Sequence, residues 1–336
     1  MQVFGVLLIS LIAFVLQVDA LPILDKLYSL IQREPLCNGH AALCGRKYSE
    51  VTFIGNHNSA FVGDLPSQNQ IKSVKDQLNG GIRFLQSQTH KFDIGDLDVM
   101  AMCHTNCALA FGGLVDDFLK TVKEFMDKNP REVVTLLLTN PDNAPMSTFD
   151  GIYKRVGLDK MSFVPAGSPN TLPMDQWPTL GEMIEKNQRL VTYIGKLDLI
   201  FDNLELQLTT GPDYGADAKS VPYLLDQFNY YWESPFNTLD PKFNQCKIDR
   251  KNKLDASGKS SMNLVNHYLD VKIPFTDITI PDRQKLDKTN AMTGEGSLGA
   301  HADLCRSQHG RNPNVLLINF FGKGDAIGAQ KRINGL

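Results

Sequence analysis

The chain has 336 residues, 42% of them hydrophobic and 21% charged, an ordinary globular composition whose length permits one large domain or two small ones. A formal net charge of −3, with no long basic run, gives no electrostatic case for nucleic acid and excludes strong attachment to an anionic membrane.

Residues 1–20, MQVFGVLLISLIAFVLQVDA, are apolar and almost uncharged, and they end in Val18-Asp19-Ala20, with small residues where a signal peptidase reads. The run is short for a membrane span, so a secretory signal cleaved after Ala20 is expected, although it has no Lys or Arg before the apolar core. An N-terminal anchor is the alternative. Six cysteines, an even number, fit an oxidising compartment. Fifteen pairings are possible, and the two short spacings favour Cys37–Cys44, Cys103–Cys107 and Cys246–Cys305. Residues 21–47 read as a leader holding the first disulfide, 48–325 as one domain, and 326–336 as a C-terminal tail without a lipid-anchor signal.

Strands are expected at 51–57, 82–88, 99–104, 132–139, 189–195, 226–231, 262–268 and 314–320. Runs such as VVTLLL and VLLINFF suit strands buried on both faces. Between them, residues 70–78 and 114–128 carry apolar side chains at helical spacing, and Asn129-Pro130 stops the second. Eight strands with intervening helices predict a single α/β (β/α)8 TIM-type barrel, irregular at strands six and seven. A two-domain doubly wound fold is the alternative, but no Gly-rich phosphate fingerprint follows the first strand.

Barrels of this kind place chemistry at the C-terminal ends of strands. His57 ends strand one in IGNHNSA, and His104 ends strand three in MCHTNC, bracketed by Cys103 and Cys107. Two histidines on one rim form a plausible acid–base pair. Gln86 and Gln88 alternate on one strand and so point the same way, into the barrel, with His90 in phase. Asn58, Asn140, Asn266 and Asn319 stand at or near other strand ends, giving a rim rich in neutral donors and acceptors able to bind a phosphate or a polyol.

These residues resemble the phosphatidylinositol-specific phospholipase C catalytic domain, especially small secreted bacterial-type and fungal phospholipase-C-like phosphodiesterases. The resemblance rests on IGNHNSA, GGIRFLQSQTH, MCHTNC and FLKTVKEFMDKNPREVVTLLL, with YYWESPFN and NVLLINFFGKGD as later elements, and spans residues 48–325. It implies cleavage of a phosphodiester or phosphoinositide in lipid metabolism. His57 would be general base toward the inositol 2-hydroxyl and His104 general acid toward the leaving oxygen. The amide rim, Asn58, Gln86, Gln88, Asn140 and Asn319, together with Lys196, is expected to contact the substrate, and no cofactor, transient contact with a membrane surface and a monomer are expected. The pattern departs from the family at the charged positions. Metal-independent members carry an Asp beside the first His, an Asp and an Arg on strand two and an Asp on strand eight, where this chain has Asn58, Gln86, Gln88 and Asn319. Calcium-dependent members match Asn58 but need carboxylates that are amides here, so no functional calcium site is expected. Lys196 is the favoured substitute cation, ahead of Lys91, Lys323 and Arg83, the last out of phase with the glutamines. The competing expectations are a catalytically impaired barrel that binds an inositol or sugar headgroup through the amides, and a metal-dependent phosphodiesterase, for which strands one and two offer no acidic cluster.

Overall fold

A computed structural model describes residues 35–94, 97–166, 172–195, 221–251 and 257–336. The segment 1–20, expected to be a secretory signal, lies outside the described residues.

The strands are β1 (Phe53–Asn56), β2 (Phe84–Ile94), β3 (Leu97–Cys103), β4 (Phe111–Leu114), β5 (Val134–Thr139), β6 (Leu190–Gly195), β7 (Leu224–Asp226), β8 (Tyr231–Glu233), β9 (Met262–Asn266), β10 (Asp270–Lys272), β11 (Thr279–Pro281) and β12 (Val315–Ile318). The helices are α1 (Val74–Asn79), α2 (Val115–Lys128), α3 (Met146–Val156), α4 (Leu180–Glu185), α5 (Gln227–Tyr230), α6 (Leu286–Thr289), α7 (Leu298–His309) and α8 (Ala326–Asn334). Eight parallel strands curl in the order β7-β6-β5-β2-β1-β12-β9-β8. The fold is thus the expected TIM-type barrel. Its two end strands, each three residues long, are joined in sequence by the single helical turn α5, which is where irregularity was expected.

Strand alternation divides the core in two. Phe53, Phe84, Leu137, Tyr193, Leu225, Tyr231, Leu264 and Leu317 fill the barrel interior with Tyr48 and Trp177 beneath them. Ile54, Leu85, Leu136, Leu138, Ile194, Val265, Leu316 and Ile318 face outward against Phe118, Val122 and Met126 of α2 and Phe149 of α3. Gly55 belongs to the interior set by parity. A Cβ there would lie 2.7 Å from Leu317 Cδ2 and 2.9 Å from Phe84 Cδ1, so the crowded interior requires glycine.

Two strands differ from expectation. Residues 97–103 are not a barrel strand. β2 continues past its last parallel partner, the Gln88–Thr139 pair, and forms an antiparallel hairpin with β3, Thr89 opposite Met102. The third barrel strand in chain order is therefore β5. The expected strand 226–231 is split into β7, α5 and β8, because Asp226 caps a helical turn by accepting the Phe228 N–H at 3.0 Å. The segment read as a C-terminal tail is helix α8. Its Gln330 Oε1 accepts the Ile54 N–H at 2.7 Å and its Asn334 Oδ1 accepts that of Thr52 at 2.9 Å, so it is built into the base of β1. All three expected disulfides are present.

Candidate active site

Interior parity carries His57, Gln86, Gln88, Asn266, Tyr268 and Asn319 to the C-terminal mouth. His57 follows Phe53 and Gly55, Asn319 follows Val315 and Leu317, and the glutamines follow Phe84. His57 Nδ1–H donates to Asn319 Oδ1 at 2.9 Å, which leaves Nε2 as the basic nitrogen. Asn319 Oδ1 also accepts Asn69 Nδ2 at 3.3 Å, Asn69 Oδ1 accepts Asn58 Nδ2 at 3.1 Å, and Asn290 Nδ2 donates to the Asn319 carbonyl at 2.9 Å. The His57 ring lies on Tyr268, centroids 4.0 Å apart and planes within 2°.

His104 reaches the same mouth from the hairpin. β3 runs back toward the rim, and the chain turns at Thr105, which has a positive φ of 65° and whose N–H donates to Gln88 Oε1 at 2.9 Å. His104 Nδ1–H donates to the Ser67 carbonyl at 3.1 Å, Asn58 Nδ2 donates to His104 Nε2 at 3.3 Å, and Phe61 stacks on the ring with centroids 5.3 Å apart. Asn58, also at positive φ (49°), is anchored through its own N–H to Gln86 Oε1 at 2.7 Å. One run of amides therefore joins the two imidazoles: Asn319, Asn69, Asn58.

Burial disfavours charge on both rings. It pushes His57 down to about 3, opposed by the Asn319 bond and reinforced by the nearby His104, so the two rings oppose each other's protonation. Burial also lowers His104, against the Ser67 bond. Both are neutral at physiological pH. Among the described residues, neither bonds to a carboxylate.

Asn58, Gln86, Gln88 and Asn319 thus gather around the histidines. Asn140 does not join them. It shares outward parity with Leu136 and Leu138, and its amide closes a loop on Ala144, accepting N–H and donating to C=O at 2.9 Å each. Lys196 lies outside the described residues. Arg83 faces the helical layer, bonded to Glu132 Oε2 at 2.7 Å and stacked on Phe125. Lys323 is exposed. Lys91 is exposed too, and its N–H donates to Asp142 Oδ2 at 2.7 Å. His90 pairs with the same carboxylate, 3.0 Å from Oδ1, beyond the mouth on the hairpin. His267 has outward parity and is buried against His301 at 2.9 Å.

Calcium does not fit the rim amides. The Oε1 atoms of Gln86 and Gln88 already accept backbone N–H groups, and a hard dication needs charged oxygens. Among the described residues, the one group of three potential ligands is Cys246, His301 and Cys305, whose cysteines are joined as a disulfide.

Sequence reasoning missed Asn69, Tyr268, Asn290, Arg283 and the buried Glu233, which has interior parity at the end of β8 and pairs with Arg250 and Gln227. Counting alternate residues from Leu264 would have found Tyr268. Nothing local marks the others, which act through partners distant in sequence.

The family model described as PI-PLC X 1 matches residues 43–334. The chain is 43% identical over 330 residues to the PI-PLC X domain-containing protein 1 of Arthroderma benhamiae, covering 97% of this chain and 96% of that protein. It is 35% identical over 298 residues to a protein of the same organism called an uncharacterized secreted protein, covering 87% of this chain and 62% of the other. Among solved structures, the phosphatidylinositol-specific phospholipase C from Listeria monocytogenes superposes with a TM-score of 0.53 at 15% identity, covering 87% of this chain and 95% of that one.

Proposed function

The chain belongs to the PI-PLC X domain family, and from that premise we propose that it is a secreted phosphodiesterase that cleaves a phosphoinositide or related phosphodiester by metal-independent chemistry between His57 and His104. The observation that carries this reading is the paired imidazoles, each held by its Nδ1–H, with Nε2 of His57 turned to the mouth and Nε2 of His104 taking an N–H from Asn58 that a substrate phosphate would displace. His57 Nε2 takes the proton of a substrate hydroxyl next to the phosphate, and that oxygen attacks phosphorus. The arriving phosphate anion favours a proton on His104, which passes it to the leaving oxygen. Water opens the resulting cyclic ester with the roles exchanged. Gln86 and Gln88, their Oε1 atoms in use, keep their Nε2–H2 groups for the phosphate oxygens. Secretion is supported by the leader sequence, by three disulfides and by the similarity to a protein called secreted. Transient membrane contact is supported by the exposed Val271, Phe275 and Ile278 of the β10–β11 hairpin and by Leu65 of the 63–68 loop.

A second reading, a barrel that binds an inositol or sugar headgroup without turnover, is favoured by one observation: both Nδ1–H groups go to neutral oxygens. An amide orients imidazole without stabilising imidazolium. The deciding experiment assays mature protein on a water-soluble myo-inositol phosphodiester, with EDTA and with calcium, beside His57→Ala and His104→Ala. Turnover that survives EDTA and is lost in both variants supports the enzyme. Headgroup binding without turnover supports the binding barrel.

A further inference from the structure

We propose that Arg283 is the positioning residue of the mouth, a brace that fixes His104 and ties it to the His57 side. The proposal rests on reading the two histidines as an acid–base pair. Arg283 stands two residues past β11. Its Nη2 donates to the carbonyls of Leu65 at 2.9 Å, Gly63 at 3.1 Å and Gln68 at 3.3 Å. Those carbonyls flank Ser67, whose own carbonyl receives His104 Nδ1–H. The same guanidinium lies over the Phe320 ring, 4.6 Å from its centroid. Phe320 follows Asn319, the partner of His57, and is held at a positive φ of 54° with its N–H on the Asn69 carbonyl at 2.8 Å.

One planar group therefore touches both the loop that orients one histidine and the residue beside the amide that orients the other. The loop's own bonds, Leu65 N–H to Gln68 Oε1 at 2.9 Å and Gln68 Nε2 to the Val62 carbonyl at 3.0 Å, shape the turn; Gln70, which donates to the Ile318 carbonyl at 3.2 Å and accepts the Phe321 N–H at 3.0 Å, ties its far end to β12, and Arg283 braces the turn itself. The base of the brace is anchored too, since the Asp282 N–H donates to the Leu269 carbonyl at 2.9 Å, next to Tyr268. A lysine cannot substitute, because an ammonium lacks the flat face that stacks on Phe320 while its edge donates to the loop. The ion pair to Asp64 is long, 3.7 Å, and that carboxylate is fully exposed.

The test compares Arg283→Ala, Arg283→Lys and the control Asp64→Ala by 15N NMR of the imidazoles, thermal melting and steady-state kinetics. The expected result is that His104 changes from a single Nδ1–H tautomer to a mixture in both Arg283 variants. With it, kcat falls roughly tenfold or more while KM stays within about twofold, since a misdirected tautomer penalises the reaction rather than binding. Asp64→Ala leaves both unchanged. A folded Arg283→Ala protein whose melting point drops while the His104 tautomer stays single overturns the proposal. If that variant does not fold, Arg283→Gln is read by the same spectrum. Absence of turnover in the wild type would refute the enzyme reading alone, because the tautomer measurement needs no activity.

Discussion

His57 and His104 arrive at one mouth by opposite routes. His57 is the next inward residue of a central barrel strand, and its orienting partner is a side chain, Asn319, on the neighbouring strand. His104 hangs from a hairpin outside the parallel sheet, clamped by a small disulfide ring, and its partner is a main-chain carbonyl in the 63–68 loop. The first arrangement can be retuned by one substitution. The second can be altered only by moving a loop, since a peptide carbonyl cannot be mutated. The orientation of His57 thus depends on one replaceable side chain, and that of His104 on the path of a loop.

The largest expected effect tests whether the two are equals. His57→Gln and His104→Gln should each lower turnover by about 10²- to 10⁴-fold, the range for a positioned acid or base. Retention of turnover by one variant alone would assign the chemistry to the other ring. Next, Asn319→Asp should place a carboxylate at the Nδ1 of His57. An anion there favours imidazolium, so NMR titration should show its proton affinity rising roughly tenfold to a thousandfold above that of a group held near 3, with His104 far less affected. Third, Cys103→Ser with Cys107→Ser removes a cross-link over five residues, worth about 2 kcal/mol in the loop-entropy picture. Its effect should fall on the His104 signals and on turnover, leaving the His57 titration in place. Fourth, Tyr268→Leu removes the parallel ring from His57 and should lower its proton affinity by about 0.5–2 kcal/mol, while Tyr268→Phe keeps it.

The smallest effect concerns acid. His57 and His301 bind protons less readily when folded, near 3 and 4 against 6.5, so stability falls as pH drops from 6.5 through those values. Asp270, raised by burial to about 7 from 3.8, has the opposite sign: it stabilises the fold at low pH and costs stability as pH rises from 3.8 through 7. The two partly cancel between pH 4 and 6.5. Asp270→Asn should therefore raise stability at pH 8 by on the order of 1 kcal/mol and steepen the loss on acidification. Melting curves from pH 4 to 8 check both.

Much of this was legible because strand alternation is a local property. Apolar runs disclosed the buried strands, and alternation put Gln86 and Gln88 inside. Asn140 could have been set aside by the same count, because the interior set on β5 is 135, 137 and 139. The hairpin was hidden because residues 89–94 and 97–103 mix charge with apolar residues, and parallel and antiparallel pairing leave similar short-range patterns. Arg283 and Ser67 were invisible for a different reason. An arginine that binds main-chain oxygens needs no particular side chain at the other end, so no motif records it.

The barrel leaves its edges at β7 and β8, and each is only three residues long. Edges this short present few unpaired N–H and C=O groups, and Glu233 of β8 already exchanges backbone bonds with Arg250. A cylinder that does not zip shut would ordinarily offer a template for another chain's strand. Here the two edges are joined in sequence by the single turn of α5, whose Gln227, Phe228 and Tyr230 are buried, so the opening in the wall is spanned by covalent chain.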